Sequence, residues 1–274
     1  MAGDRDPLGA GLILGESFSL LFSRFHILFL CGIVMTATVE ALLFLARTPA
    51  AVQLTAMSSI LFEFVPFVLW MSGIFLFAGL AIPVARTFKY GQPTPLPTVL
   101  ATLARRFLPL VLTALACAMA VSTPLMVTVH VFEDSDAFWP ILLPVVLMIF
   151  LFGLLAAAAP SIVAEDTAMT GLSRSFSLTS GYRWRCGLVI TVLIIVGAFF
   201  FIVVWSLARN FWLNLLLPDG PTGAFLMSGG LTAMRTFGLG LFCAVPGVGC
   251  ALICLRLIQI RDGARSENVE STFA

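Results

Sequence analysis

Six long apolar runs, separated by shorter polar intervals, set the pattern of this chain. A helix crossing a hydrocarbon core about 30 Å thick needs about 20 apolar residues. Runs of that length lie near 26–45, 60–84, 107–129, 138–159, 184–207 and 231–255. The pattern predicts an all-α polytopic bundle of six transmembrane helices, the second and sixth long enough to tilt. Residues 1–257 then form a single membrane domain, and 258–274 a short tail. Pro66, Pro83, Pro109, Pro124, Pro144 and Pro246 fall within or at the ends of the spans. Kinks are expected there, because proline lacks an N–H and crowds the preceding turn.

Composition supports the same class. The chain is 60% hydrophobic and 11% charged, with a mean hydropathy of +1.06, whereas soluble domains carry about 25% charged residues. The net charge of +1 hides an asymmetry that orients the spans. Arg5, Arg24, Arg86, Lys89, Arg105, Arg106, Arg174, Arg183, Arg185, Arg256, Arg261 and Arg265 fall on the side of both termini, and only Arg47, Arg209 and Arg235 on the other. The positive-inside rule therefore predicts cytoplasmic termini, in a multi-pass protein of a bacterial inner membrane. The opening residues lack a basic segment leading to a short apolar run and a small-residue cleavage site, so the first span is expected to act as its own insertion signal.

The polar intervals carry an internal repeat. ESFSLLFSRF at 16–25 aligns without a gap on TVLATLARRF at 98–107, and each leads into a span. Ser175-Phe176-Ser177-Leu178 repeats Ser17-Phe18-Ser19-Leu20, and Arg183-Trp184 follows as Arg24-Phe25 and Arg106-Phe107 do. Three units are expected, each one amphipathic cytoplasmic helix plus two spans. In the third copy, three-and-four spacing puts Met169, Leu172, Phe176 and Thr179 on one face, to sink towards acyl chains, and turns Arg174, Ser177 and Ser180 away. Glu165 and Asp166 are expected at that helix's N-terminus, where carboxylates meet the dipole favourably, with Gly181 as its stop. Arg24, Arg105, Arg106, Arg174, Arg183 and Arg185 then lie where guanidinium groups reach phosphate. Such arginines anchor a helix end, or they recognise anionic headgroups or a membrane-protein partner.

The stretch 160–185 resembles the glycerophosphoryl diester phosphodiesterase membrane-domain family and related bacterial membrane proteins. The resemblance rests on Pro160, Glu165, Gly171-Leu172-Ser173-Arg174-Ser175, and Leu178-Thr179-Ser180-Gly181-Tyr182-Arg183-Trp184. The segment CLRLIQIRDG at 254–263 is similar to the closing element of that family, with Cys254 and Ile258 departing from it. In some relatives a soluble barrel fused to this membrane part performs the hydrolysis. No counterpart of that barrel lies in these residues, so the resemblance implies a membrane part without phosphodiesterase chemistry.

Catalytic constellations are not apparent. His26 and His130 fall at opposite ends of the spans, and there is neither a His-Glu-x-x-His motif nor a phosphate-binding glycine loop. Cys31, Cys117, Cys186, Cys243, Cys250 and Cys254 lie within or beside spans without metal-ligand spacing, and read as reduced apolar residues. No enzyme activity, cofactor or metal is expected. The basic residues hug span ends without forming an extended patch, which argues against nucleic acid.

Intramembrane charge is the remaining candidate chemistry. Glu40 and Glu63 fall in the outer halves of spans one and two, and Arg235 begins span six. A carboxylate in lipid is costly unless paired, snorkelling or facing water, so Glu40 or Glu63 is expected to pair with Arg235 or to snorkel. The sequence thus points to a non-enzymatic membrane protein that binds or organises lipid or a membrane partner. The alternative is a small transporter or channel subunit using the intramembrane carboxylates.

Overall fold

The computed structural model describes residues 9–46, 59–91, 96–131, 139–165, 170–215 and 236–261. Among them there are helices and no strands. The helices are α1 (Ala10–Ser23), α2 (Phe25–Ala46), α3 (Ser59–Tyr90), α4 (Leu96–Val131), α5 (Trp139–Leu155), α6 (Ala158–Ala164), α7 (Gly171–Leu178), α8 (Arg183–Leu215) and α9 (Thr236–Arg261). Six stretches are long and apolar enough to cross a membrane: one each in α2, α3, α4, α8 and α9, and one running from α5 through α6. The expected six-span bundle is what the structure has. α3, α4 and α5 continue through their internal prolines.

The spans are not equivalent. In α3 and α9, 72% and 78% of the apolar stretch is buried, against 22% in α2 and 28% in α8. α3 and α9 therefore form the interior, and the others surround them. α3 packs on α2, α4 and α6, while α5 packs on α8 and α4. Phe75 of α3 stacks on Phe152 of α5 with centroids 5.9 Å apart, both rings buried. Where backbones meet there is no room for side chains: a Cβ added at Gly153 would overlap the Arg183 carbonyl, and one at Gly187 the Ile149 carbonyl. Close approach through small residues is how helices associate where the surrounding lipid is as apolar as leucine.

Two expectations change. The fourth run is broken at Ala156 and Ala157, and its continuation, α6, is wholly buried. The second repeat copy is no separate helix either. α4 is continuous over 36 residues, about 54 Å at 1.5 Å per residue, so Arg105 and Arg106 ride on the extended end of a span.

The first and third copies do share a pattern. Ser17 and Leu20 are buried with Ser19 exposed, and Ser175 and Leu178 are buried with Ser177 exposed. α1 is not a polar surface helix: Ile13, Ser17 and Leu20 face inward, Leu12 and Phe22 outward, and Ser17 Oγ lies 3.7 Å from where a Gly249 Cβ would stand.

Candidate functional site

The motif stretch folds back on the broken span. Ser175 Oγ donates to the Leu154 carbonyl at 2.6 Å, beside the break. Thr179 Oγ1 donates to the Ser175 carbonyl at 2.8 Å and lies 3.5 Å from the same Leu154 oxygen. Gly171 lets α7 press on α6, since a Cβ there would come within 2.7 Å of the Ala158 carbonyl oxygen.

Glu165 terminates α6 rather than starting the next helix, so its carboxylate meets the negative end of a dipole. Two arginines compensate. Arg174 grips Glu165 bidentately, Nε to Oε2 and Nη2 to Oε1, both at 2.6 Å, and Arg86 donates from Nη2 to the Ala164 carbonyl. Gly181, at φ +87°, turns the chain into α8, and Trp184 packs on Phe150 with centroids 5.4 Å apart.

The buried face of α7 thus carries Gly171, Ser175 and Leu178, while Phe176 is 43% exposed. Phe176 keeps the outward face expected for it, whereas Thr179, expected on the same face, is buried. Small hydroxyl residues face protein because they can reach freed carbonyls, and the aromatic ring is left outward. Met169 and Asp166 lie outside the described residues.

A second polar cluster occupies the same, basic end of the bundle. Arg256 Nη2 of α9 bonds Glu16 Oε1 of α1 at 2.6 Å, and the Arg256 side chain is only 12% exposed. Lys89, at the end of α3, lies within electrostatic reach of both. Glu16 Oε2, Arg256 Nε and Lys89 Nζ are buried without a hydrogen-bond partner, and Lys89 Nζ sits 5.9 Å from the Tyr90 ring centre. A cavity of about 310 Å³ adjoins the two cations, lined by Lys89, Arg256, Gln259 and Ile260.

An apolar groove of about 380 Å³ lies between α2 and α9, within the ~300–1,000 Å³ typical of ligand sites. Phe25, Phe29, Ile33, Phe237 and Leu241 line it, Phe77 of α3 contributes to its wall, and Glu40 lies at its far end. Exposed Arg24 joins α1 to α2 immediately before Phe25.

The other sequence candidates scatter. Arg105 and Arg185 are exposed, Arg106 is half-buried, and Arg183 is half-buried with its Nε lacking a hydrogen-bond partner. Glu40 is exposed, whereas Arg235 and the side chain of Glu63 lie outside the described residues, as does the expected pairing between them. Pro160 is buried in α6. The six cysteines are free thiols, five of them buried. Sequence reasoning counted Arg86, Lys89 and Arg256 for orientation only and missed Glu16. The available signal was an acid placed in an otherwise apolar helix.

Comparison with protein-family models, with curated proteins and with solved structures found no match.

Proposed function

We propose that this chain is a non-enzymatic, multi-pass protein of a bacterial inner membrane that holds a phospholipid, with an acyl chain in the groove between α2 and α9. The groove itself carries the reading: it lies between two spans at membrane depth, and its described lining is apolar except for Thr36, Thr236 and Glu40. Arg24, exposed beside Phe25, supplies a cation at the headgroup level for the lipid phosphate. Arg105, Arg106, Arg183 and Arg185 extend that cationic band around the basic end, which faces the cytoplasm under the positive-inside rule. The resemblance of 160–185 to the phosphodiesterase membrane-domain family belongs to the same proposal, as membership of its membrane part without the hydrolytic chemistry.

Native mass spectrometry of protein released from nanodiscs tests the lipid. The groove has room for a probe substitution, since a Cβ at Gly240 meets nothing nearer than Thr36 Oγ1 at 3.8 Å. Gly240→Phe is expected to abolish a retained phospholipid, and equal lipid retention by both proteins overturns the reading. Glu40 favours the transporter alternative, because it is the acid in the groove's described lining. A proton leak in proteoliposomes, detected with a pH-sensitive dye and abolished by Glu40→Gln, would put transport first.

A further inference from the structure

We propose that Lys89, Arg256 and Glu16 form a site for a phosphate group that also offers a proton or hydroxyl to donate. The three side chains come from α3, α9 and α1 and converge at the basic end of the bundle. Lys89 Nζ and Arg256 Nε are buried donors without a hydrogen-bond acceptor, and Glu16 Oε2 is a buried acceptor without a donor. A buried charged group left without a hydrogen bond is costly, so two such donors on residues that line one cavity, with Glu16 bonded to one of them, call for an occupant. The cavity of about 310 Å³ holds more than a single water, whose share of liquid volume is ~30 Å³.

Charge and donor count define the ligand class. Glu16 neutralises one of the two cations through its bond to Arg256 Nη2, leaving a net charge of about +1 and so an anion. Lys89 Nζ and Arg256 Nε need acceptor oxygens, which a phosphate supplies at tetrahedral spacing. Glu16 Oε2 needs a donor. A phosphate carrying a P–OH, or an ester with a neighbouring hydroxyl, supplies both, whereas sulfate carries no proton near neutral pH. Gln259, exposed at the cavity wall, adds an amide that donates and accepts. The phosphate belongs either to a lipid headgroup or to a free solute.

The site is independent of the groove: Gly240→Phe empties the groove and leaves phosphate binding in place. Calorimetric titration of the full chain in phosphatidylcholine nanodiscs with inorganic phosphate is expected to give saturable binding, at least about tenfold tighter than with sulfate. Lys89→Met weakens it by about tenfold or more, as loss of a charge-assisted hydrogen bond requires, and Lys89→Arg restores most of it. Glu16→Gln narrows the preference over sulfate.

A second arm uses nanodiscs containing phosphatidic acid. Lys89-dependent retention of that lipid in native mass spectrometry, without free-phosphate binding, identifies the headgroup as the source, and free-phosphate binding identifies a solute. If neither probe distinguishes the original protein from a Lys89→Met protein that melts no lower, the site holds water only and the proposal is overturned. If Lys89→Met fails to fold, Lys89→Arg and Gln259→Ala carry the test, and wild-type protein that binds neither probe overturns it.

Discussion

Glu16 and Arg174 occupy the same place, each immediately ahead of a Ser-Phe-Ser-Leu tetrad, yet they carry opposite charges and make opposite pairs. Arg174 closes on Glu165 with both ends of its fork, whereas Glu16 offers Arg256 one oxygen and leaves its other oxygen, Arg256 Nε and Lys89 Nζ without hydrogen bonds. The first pair spans nine residues of one connection and locks a bend. The second joins residues 240 apart in the chain, beside a cavity that Lys89, Arg256, Gln259 and Ile260 line. The same tetrad can therefore follow a closed ion pair in one place and an open one in another, depending on whether the polar atoms find partners within the protein.

Substitution at the closed pair has the larger expected effect. Gly171→Leu drives a side chain into the Ala158 carbonyl and Ile162. It is expected to cost about 3 kcal/mol, and loss of monodisperse protein on size exclusion in detergent is its readout. Arg174→Ala strands Glu165, which is 20% exposed, at a helix C-terminus. A destabilisation of about 1–2 kcal/mol is expected once partial solvent screening is allowed for, read as a lower thermal midpoint. Exchanging the two residues, Glu165→Arg with Arg174→Glu, recovers part of that loss and also relieves the dipole conflict. Ser175→Ala removes the hydroxyl from the Leu154 carbonyl and costs about 1 kcal/mol.

The open cluster responds with the opposite sign. Lys89→Met removes a buried ammonium without a hydrogen-bond partner, so without phosphate the midpoint is expected to stay level or rise, by up to about 1 kcal/mol in stability. A fall as large as that of Arg174→Ala would erase the contrast, since the lysine would then be a structural staple too.

The six spans were legible because bilayer thickness imposes a length that no soluble helix pattern matches. Which hydroxyl residues meet protein was not. In lipid, hydrophobicity no longer separates inside from outside, so Phe176, 43% exposed, and Ser175, fully buried, reverse the order that a water-facing helix would give. The motif stretch stood out in the sequence as a segment, yet the end of α6 is held by Arg86, far back in the chain, and follows a helix break that an unbroken apolar run conceals. Glu16 and Arg256 were visible only as isolated charges. Their meeting follows from the order of packing around α3 and α9, which no local pattern records.

That order also has a consequence for biosynthesis. α9 is as deeply enclosed as α3, and it follows the other five spans in the chain. Translation delivers helices in sequence, at about 5–20 residues per second. The surfaces of α3 and α8 that later receive Gly247 and Gly249 therefore stand without their partner until α9 inserts. Assembly must hold a cleft open beside α3 and fill it at the end, and the contact of Arg256 with Glu16 marks the moment when the earliest and latest described helices meet.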